Sequence, residues 1–238
     1  VCFIHLPERH TPMTKLWRTF WTHALYWRFC LFQRHRYDNL SLEKIGDINL
    51  LILPQVFNPA LFRTGELLIQ CAEKYITPKT RVLDMGTGSG YGAVACAKLG
   101  ATVTAVDINP HAVKCATLNA LLNDVAVDVR HGDLFAPITG ERFDLILFNP
   151  PFFEGEPHTM LDRAWRSVDV IPRFIDGLKS HLADDGCALV VLSSKGNIAQ
   201  FLALCADSGV GVEKIAERDT WNEVVLVYRL TNIRGLTT

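Results

Sequence analysis

The stretch Arg81-Val-Leu-Asp-Met-Gly-Thr-Gly-Ser-Gly90 decides the fold of this chain. A short apolar run ends close to an acid, glycines follow at every second position, and a helical pattern begins at once at Tyr91. This order predicts a strand, a tight turn and a helix. Glycine accepts positive φ and carries no Cβ, and a helix N-terminus presents free N–H groups. The turn is therefore predicted to bind a flat or anionic ligand against its backbone.

The glycine spacing of this turn separates two classes of cofactor. Dinucleotide-binding turns follow G-x-G-x-x-G, whereas Gly86, Gly88 and Gly90 follow G-x-G-x-G. Asp84 lies two residues before the first glycine, where a carboxylate can meet the cationic methionine end of S-adenosylmethionine but would repel a pyrophosphate. The spacing favours S-adenosylmethionine over NAD, with an ordinary β-α turn as the alternative.

Length and composition are typical of one globular α/β domain with an extension. The chain has 238 residues, 49% of them hydrophobic, and a net charge of −1. This balance gives no overall attraction to nucleic acid or to a membrane, so a basic partner surface would have to be local. We find no run of 18 apolar residues and no A-x-A-like cleavage site, so neither a membrane span nor a signal peptide is expected.

The cysteines indicate a reducing environment, and the histidines indicate no metal site. The 7 cysteines form no C-x-x-C pair, and an odd number cannot all be bridged within the chain. Several lie in apolar patterns, where a free thiol packs as a small hydrophobe. The histidines have no metal-ligand spacing. We therefore predict a cytoplasmic protein without a metal site.

The N-terminal part is rich in aromatic and basic residues. Residues 13–45 contain no Gly or Pro, and aromatics such as Trp17 and Trp21 roughly follow helical spacing, with bases such as Arg28 between them. We interpret this part as an amphipathic helix that packs its aromatics on the main domain. A lid or RNA-facing surface is the first alternative, and a helix on a membrane surface is the second.

Residues 39–53 predict a β-hairpin hinged near Gly46 and Asp47. The segment Pro54-Gln-Val-Phe-Asn-Pro59 then forces extended backbone before a helix from about 61 to 75. We accordingly predict two parts, an N-terminal aromatic and basic helical extension with the hairpin over residues 1–58, and a main domain over residues 59–238.

From Arg81 onward, strands and helices alternate, which is typical of a parallel sheet with helices on both faces. The predicted strands are 81–84, 102–107, 125–130, 143–148 and 186–193, and the predicted helices are near 91–99, 110–122, 168–182 and 196–208. The pattern ends with two strands, 210–217 and 222–230, joined by a short turn that makes them antiparallel. We therefore predict an α/β fold with a seven-stranded, mostly parallel sheet whose last strands are antiparallel.

The next strand along the chain ends in a second acid. Thr102-Val-Thr-Ala-Val-Asp107 closes 17 residues after Gly90. In a β-α-β unit this carboxylate lies beside the glycine turn and can accept both ribose hydroxyls of an adenosyl group. A helix N-cap is the alternative, because Asn109 and Pro110 follow and open a helix.

A third acid follows the third strand in His131-Gly-Asp-Leu-Phe135. At the carboxyl edge of the sheet, Asp133 can accept from an adenine amino group, while Leu134 and Phe135 form an apolar wall for the ring. A turn carboxylate without a ligand is the alternative.

The most informative stretch is Phe143-Asp-Leu-Ile-Leu-Phe-Asn-Pro-Pro-Phe152. A buried strand ends at Asn149, and two prolines stiffen the chain after it. The Asn149 side-chain oxygen and the Pro150 carbonyl can accept the N–H bonds of an amide or exocyclic amine and orient its lone pair toward a methyl donor. The Phe152 ring can cover such a planar group. A simple turn after a strand is the alternative.

In this order and spacing, Asp84-Met-Gly-Thr-Gly-Ser-Gly90, Asp107, Gly132-Asp133-Leu134 and Asn149-Pro-Pro-Phe152 resemble class I S-adenosylmethionine-dependent methyltransferases of the HemK-like group. Members of this group methylate a glutamine side-chain amide in protein release factors. The resemblance covers about residues 55–231 and implies a Rossmann-like fold, with the substrate nitrogen held by Asn149 and Pro150. The cofactor residues expected on this basis are Asp84, Gly86, Thr87, Gly88, Gly90, Asp107, Ile108, Asp133, Leu134 and Asn149.

Two departures broaden the expected substrate class. HemK-like enzymes usually carry an acidic pair after the upstream proline, where this chain has Pro59-Ala-Leu-Phe-Arg-Thr64. Pro54-Gln-Val-Phe57 and Asn149-Pro-Pro-Phe152 are also similar to RsmC-type ribosomal RNA guanine methyltransferases. We expect a protein glutamine, as in a release-factor-like partner, as first acceptor, a nucleic-acid base second and a small-molecule amine third. A protein that binds the cofactor without catalysis is the competing class, and the intact Asn149-Pro-Pro-Phe152 argues against it.

Overall fold

The computed structural model describes residues 39–61, 64–151, 153–156, 161–164, 166–220 and 223–232. The predicted aromatic and basic helix and the predicted acceptor residue Phe152 lie outside these residues. The strands are β1 (Ser41–Ile45), β2 (Ile48–Ile52), β3 (Arg81–Met85), β4 (Thr102–Asp107), β5 (Val127–His131), β6 (Phe143–Phe148), β7 (Phe153–Glu154), β8 (Arg166–Ser167), β9 (Leu182–Ser193), β10 (Val210–Asp219) and β11 (Val224–Asn232). The α-helices are α1 (Thr64–Ala72), α2 (Tyr91–Lys98), α3 (Pro110–Leu122), α4 (Val170–His181) and α5 (Ile198–Asp207).

The main sheet has seven strands in the order β10-β11-β9-β6-β3-β4-β5. Strands β3, β4, β5, β6 and β9 pair in parallel, whereas β11 pairs antiparallel with β9 and β10 antiparallel with β11. The predicted mixed sheet with antiparallel last strands is confirmed. The chain leaves β3 toward β4 and β5 and then crosses back to β6, so the strand order reverses between β3 and β6. In open α/β sheets, ligands bind at the carboxyl ends of the strands at such a switch point.

The central strands are apolar on both faces because helices cover both. Val82 packs with Leu50 of the hairpin in one core cluster, and the adjacent Leu83 packs with Phe174 of α4 in the other. This alternation is the period of a strand, with successive side chains on opposite faces. The sheet is therefore rigid where its carboxyl edge carries the polar residues.

The predicted hairpin is confirmed, with β1 and β2 antiparallel around Gly46 at φ +59°. Its inward residues Ile48, Leu50 and Ile52 are buried in the same core cluster as β3 and α2. The hairpin thus packs directly on the sheet domain.

Strand β9 differs from its prediction because it begins at Leu182, directly after α4, and not at residue 186. Leu182 is fully buried and pairs with Phe143, and the register then shifts before Cys187 pairs with Leu145. A Cβ on Gly186 would lie 2.8 Å from the Phe143 carbonyl oxygen, so glycine is needed at this irregularity. The polar residues of the irregular segment made it resemble a turn in the sequence.

Candidate active site

The register of the two central strands brings the two main sequence motifs together. Met85, the last residue of β3, lies opposite Phe148, the last residue of β6. The glycine turn that follows β3 and the Asn149 segment that follows β6 are therefore neighbours at the switch point. This placement brings the glycine turn and Asn149, a predicted acceptor residue, to one edge of the sheet.

The glycine turn is packed at one end and open in the middle. Gly90 has φ +82°, and a Cβ there would lie 2.7 Å from the Ala116 Cα of α3, so no other residue fits without a shift. Gly88 has φ +56°, and a Cβ there would meet no atom within 4 Å. The space directly beside Gly88 is therefore free of other protein atoms.

Asp84 holds this turn through two hydrogen bonds. Its Oδ2 accepts a hydrogen bond from the Thr87 hydroxyl (2.6 Å) and another from the Ala93 amide in the first turn of α2 (2.9 Å). Burial of the side chain raises the pKa of Asp84 to about 6. The carboxylate therefore takes up a proton as the pH falls through about 6. A cation in the site would favour its ionised form.

Asp107 lies at the end of β4 beside the turn. Its Oδ2 accepts from the Gly88 amide (2.8 Å), its Oδ1 accepts from the Asn109 amide (2.8 Å), and burial raises its pKa. The helix cap is provided by Asn109, whose side chain accepts from the His111 amide at 2.9 Å. Each carboxylate oxygen can accept two bonds, so Asp107 retains acceptor capacity suited to a pair of vicinal hydroxyls.

Asp133 lies at the same edge but has a partner that the sequence analysis did not identify. Its Oδ2 accepts from Nη2 of Arg173 on α4 at 2.6 Å. Leu134, at φ +48°, is half-buried next to it, and the Ile108 carbonyl lies 3.0 Å from the His131 Nε2. The carboxylate is thus fixed in place by an ion pair.

Phe135 does not line this edge. Its ring is buried in the core, where it stacks on His181 with centroids 4.4 Å apart. A Cβ on Gly177 would lie 2.2 Å from the same ring, so α4 approaches it closely only because of that glycine. Half-buried Leu134 is left as the apolar neighbour of Asp133.

Asn149 has one partnered and one unpartnered side-chain atom. Its Nδ2 donates to the Thr64 hydroxyl oxygen at the start of α1 (3.2 Å). Its Oδ1 is buried and has no hydrogen-bond partner among the described residues. A buried acceptor without a donor costs about 1–3 kcal/mol. The amide is therefore held with its oxygen ready to accept a hydrogen bond from a ligand.

The segment after the hairpin and the first residue of α1 contact the two halves of this edge. Asn109 Nδ2 donates to the Gln55 carbonyl (2.9 Å) on the side of the glycine turn, while Thr64 bonds Asn149 on the other side. The sequence analysis identified neither contact, because each joins residues far apart in the chain.

At Pro151, a cleft of about 80 Å³ lies between the first turns of α4 and α5. It is bordered by Pro151 and by apolar side chains that include Ile171 and Phe201. In the described part of the chain, no three His, Cys, Asp or Glu side chains are grouped to hold a metal ion. No helix of that part is long and apolar enough to cross a membrane.

A family model described as methyltransferase small domain matches residues 47–217. A Methanocaldococcus jannaschii protein, named as a protein N5-glutamine methyltransferase, is 35% identical over 161 residues, which cover 63% of this chain and 79% of that protein. The ribosomal protein L11 methyltransferase of Desulfitobacterium hafniense is 37% identical over 177 residues, covering 71% of this chain and 51% of that protein. The ribosomal RNA small subunit methyltransferase C of Alcanivorax borkumensis is 31% identical over 164 residues, covering 68% and 48%. The chain spans about half the length of these last two relatives.

A solved structure has the same fold. It is the 16S rRNA methyltransferase RsmC of T. thermophilus in complex with S-adenosylmethionine and guanosine. The match has a TM-score of 0.60 and 23% identity, and covers 79% of this chain and 49% of that chain. At this identity the likeness shows the fold alone.

Proposed function

Because the chain belongs to the methyltransferase small domain family, we propose that it methylates a planar nitrogen, with the side-chain amide of a protein glutamine as acceptor. The chain is an S-adenosylmethionine-dependent methyltransferase with the predicted Rossmann-like class I fold. The observation that carries the proposal is the buried Asn149 Oδ1, an acceptor without a donor directly after β6. An acceptor nitrogen with an N–H bond supplies the missing donor.

The residues around the glycine turn fit the cofactor. The open space beside Gly88 gives the backbone access, and Asp107 has acceptor capacity for the ribose hydroxyls. Asp84 provides a carboxylate for the cationic methionine end. In the proposal the remaining contacts come from Gly86, Thr87, Gly90, Ile108, Asp133 and Leu134, and Asn149, although it lies at the same edge, serves the methyl acceptor. When bound, the cofactor supplies an electrophilic methyl group.

An amide nitrogen is a poor nucleophile because its lone pair is delocalised. In the proposal, Asn149 Oδ1 and the Pro150 carbonyl accept its two N–H bonds and hold the lone pair toward the methyl donor. The same two oxygens stabilise the positive charge that develops on nitrogen. The nitrogen becomes strongly acidic once methylated and loses its proton to solvent, so the site needs no general base before transfer.

The Methanocaldococcus jannaschii relative favours a protein acceptor over RNA, because this chain matches most of that protein's length. That relative is named as a glutamine methyltransferase, and 79% of it is covered. The cleft beside Pro151 offers room for the chain that carries the glutamine. A guanine or adenine amino group is the second candidate, supported by the 31% identity to the ribosomal RNA methyltransferase of Alcanivorax borkumensis. The free thiols of the described cysteines support a cytoplasmic location.

The experiment that tests the acceptor is transfer of radiolabelled methyl groups into a cell extract, followed by separate protease and nuclease digestion. We expect protease alone to release the label, and acid hydrolysis of the labelled protein to release radioactive methylamine from methylglutamine. The Asn149→Ala variant is the control for contaminating enzymes. Label released by nuclease alone would overturn the glutamine proposal in favour of a base.

The pH dependence of cofactor binding tests the role of Asp84. Burial raises the pKa of Asp84 to about 6 in the free protein, and a bound cation stabilises the ionised form. We expect the Kd for S-adenosylmethionine to fall by up to about tenfold as the pH rises from about 5 to about 7, and to level off above about 7. Isothermal titration calorimetry at each pH measures this, and Asp84→Asn should bind more weakly with a flat profile. An equal slope in both proteins would contradict the role.

A further inference from the structure

The outer edge of the hairpin is held by Asn119 of α3 and by Asn123, the residue directly after that helix, and no strand of the described residues pairs with it. Leu51 N donates to Asn119 Oδ1 (2.7 Å), and Asn119 Nδ2 donates back to the Leu51 carbonyl (2.9 Å). Asn49 N donates to Asn123 Oδ1 (3.1 Å), and Asn123 Nδ2 donates back to the Asn49 carbonyl (2.7 Å). Residues two apart on a strand edge and four apart on a helix have similar spacing. The two side-chain amides therefore replace the ladder of a neighbouring strand.

Beyond a contact of 3.6 Å to the Cys115 Sγ, Asn119 bonds the glycine turn, which Asn123 does not. Its Nδ2 also donates to the Ser89 carbonyl of the glycine turn at 2.8 Å, and the side chain is fully buried. One side chain thus joins three elements, namely the hairpin, α3 and the turn.

The turn is fixed from two sides by this arrangement. The Gly88 amide donates to Asp107, and the carbonyl of the next residue accepts from Asn119. These two bonds hold the peptide groups 87–88 and 89–90 and restrict the rotation of the backbone between them. Binding then costs less ordering of the turn than it would cost a mobile loop.

We propose that Asn119 is a positioning residue for the cofactor turn, and that it couples the β1–β2 hairpin to cofactor binding. The inference rests on the proposed cofactor site and goes beyond it by adding the hairpin as a functional part. Coupling is reciprocal, so a ligand that orders the turn also orders the hairpin edge. The contact between Asn109 and the Gln55 carbonyl extends this link to the segment after the hairpin.

The experiment compares Asn119→Ala with Asn123→Ala, using S-adenosylhomocysteine as the ligand in calorimetry. Both variants lose two bonds to the β2 backbone, but only Asn119→Ala loses the bond to Ser89. We expect the Kd to rise by about tenfold or more in Asn119→Ala and by less than about threefold in Asn123→Ala. Leu189→Ala, which truncates a buried residue of β9 in the same core cluster, controls for general destabilisation.

Hydrogen exchange on the unmodified protein provides a second readout that does not depend on any variant folding. We expect S-adenosylhomocysteine to slow exchange of the Leu51 amide, which donates to Asn119 Oδ1. No slowing in the unmodified protein overturns the coupling, and so does an equal rise in Kd for Asn119→Ala, Asn123→Ala and Leu189→Ala. An unmodified protein that binds no S-adenosylhomocysteine would instead contradict the cofactor site itself, so the two failures are distinguishable.

Discussion

Replacing Asn149 by alanine is expected to lower kcat for methyl transfer by about 100-fold or more, with the Kd for S-adenosylmethionine changed by less than about twofold. The Asn149 Oδ1 is buried without a partner among the described residues. It therefore accepts a hydrogen bond only when the group to be methylated is bound. Its loss removes the group that orients the nitrogen and stabilises its developing charge. Single-turnover rates with labelled cofactor measure the effect, and calorimetry measures the Kd. Full activity in the variant would refute the role.

Two variants of Thr64 test how the Asn149 amide is oriented. Its hydroxyl oxygen accepts from Asn149 Nδ2 at 3.2 Å, which fixes which end of the amide faces the site. Thr64→Val removes this acceptor with little change of shape, and we expect kcat to fall by about tenfold because the amide can then turn. Thr64→Ser keeps the hydroxyl and should retain most of the activity. Equal losses in the two variants would indicate a packing defect.

Most of the fold could be predicted from the sequence because its main signals lie within short segments of the chain. The β3-turn-α2 unit follows from the glycine spacing and the apolar run before Gly86, which specify a strand and a turn without reference to the rest of the chain. The hairpin is equally local, since its turn needs a residue such as Gly46 at positive φ. The start of β9 was missed because the pairing of Leu182 with Phe143, which is decided by tertiary packing, is invisible in the sequence.

The candidate site was predictable only in part. Residues that end strands, such as Asp107 and Asn149, were identified because parallel strands bring their carboxyl ends to one edge. Their partners were missed, because the bond of Asn149 to Thr64 spans 85 residues and the ion pair of Asp133 with Arg173 spans 40. Neither separation leaves a periodic pattern. Asn119 was likewise indistinguishable from an ordinary polar residue of a helix.

The structure gives the cofactor edge and the acceptor edge different kinds of support. The glycine turn is held by buried carboxylates and by Asn119, all of which bond to backbone groups. In the proposal, the acceptor edge relies on the Asn149 amide and on the Pro150 carbonyl after β6. Variants of the first set are therefore expected to change the Kd of the cofactor, and variants of the second set to change kcat.

Replacing Asp107 by alanine is expected to raise the Kd for S-adenosylmethionine by about 100-fold, because two charge-assisted hydrogen bonds to the ribose would be lost. The variant also releases the Gly88 amide, so the turn loses one of its two fixed points. Calorimetry measures the change. Asp144→Ala is the matched control, since Asp144 also accepts from a backbone amide, that of Arg81 (2.8 Å), but at the opposite end of β3 from the glycine turn.

The 2′-deoxy analogue of S-adenosylhomocysteine separates the two effects of the Asp107 substitution. If the carboxylate bonds the ribose, removal of one hydroxyl should weaken binding to the unmodified protein by about tenfold and leave binding to Asp107→Ala unchanged, because the partner is already missing. If the carboxylate acts only by holding Gly88, the missing hydroxyl should weaken binding of the analogue by the same factor in both proteins, or in neither. Unchanged affinity of Asp107→Ala for S-adenosylmethionine itself would remove Asp107 from the site altogether.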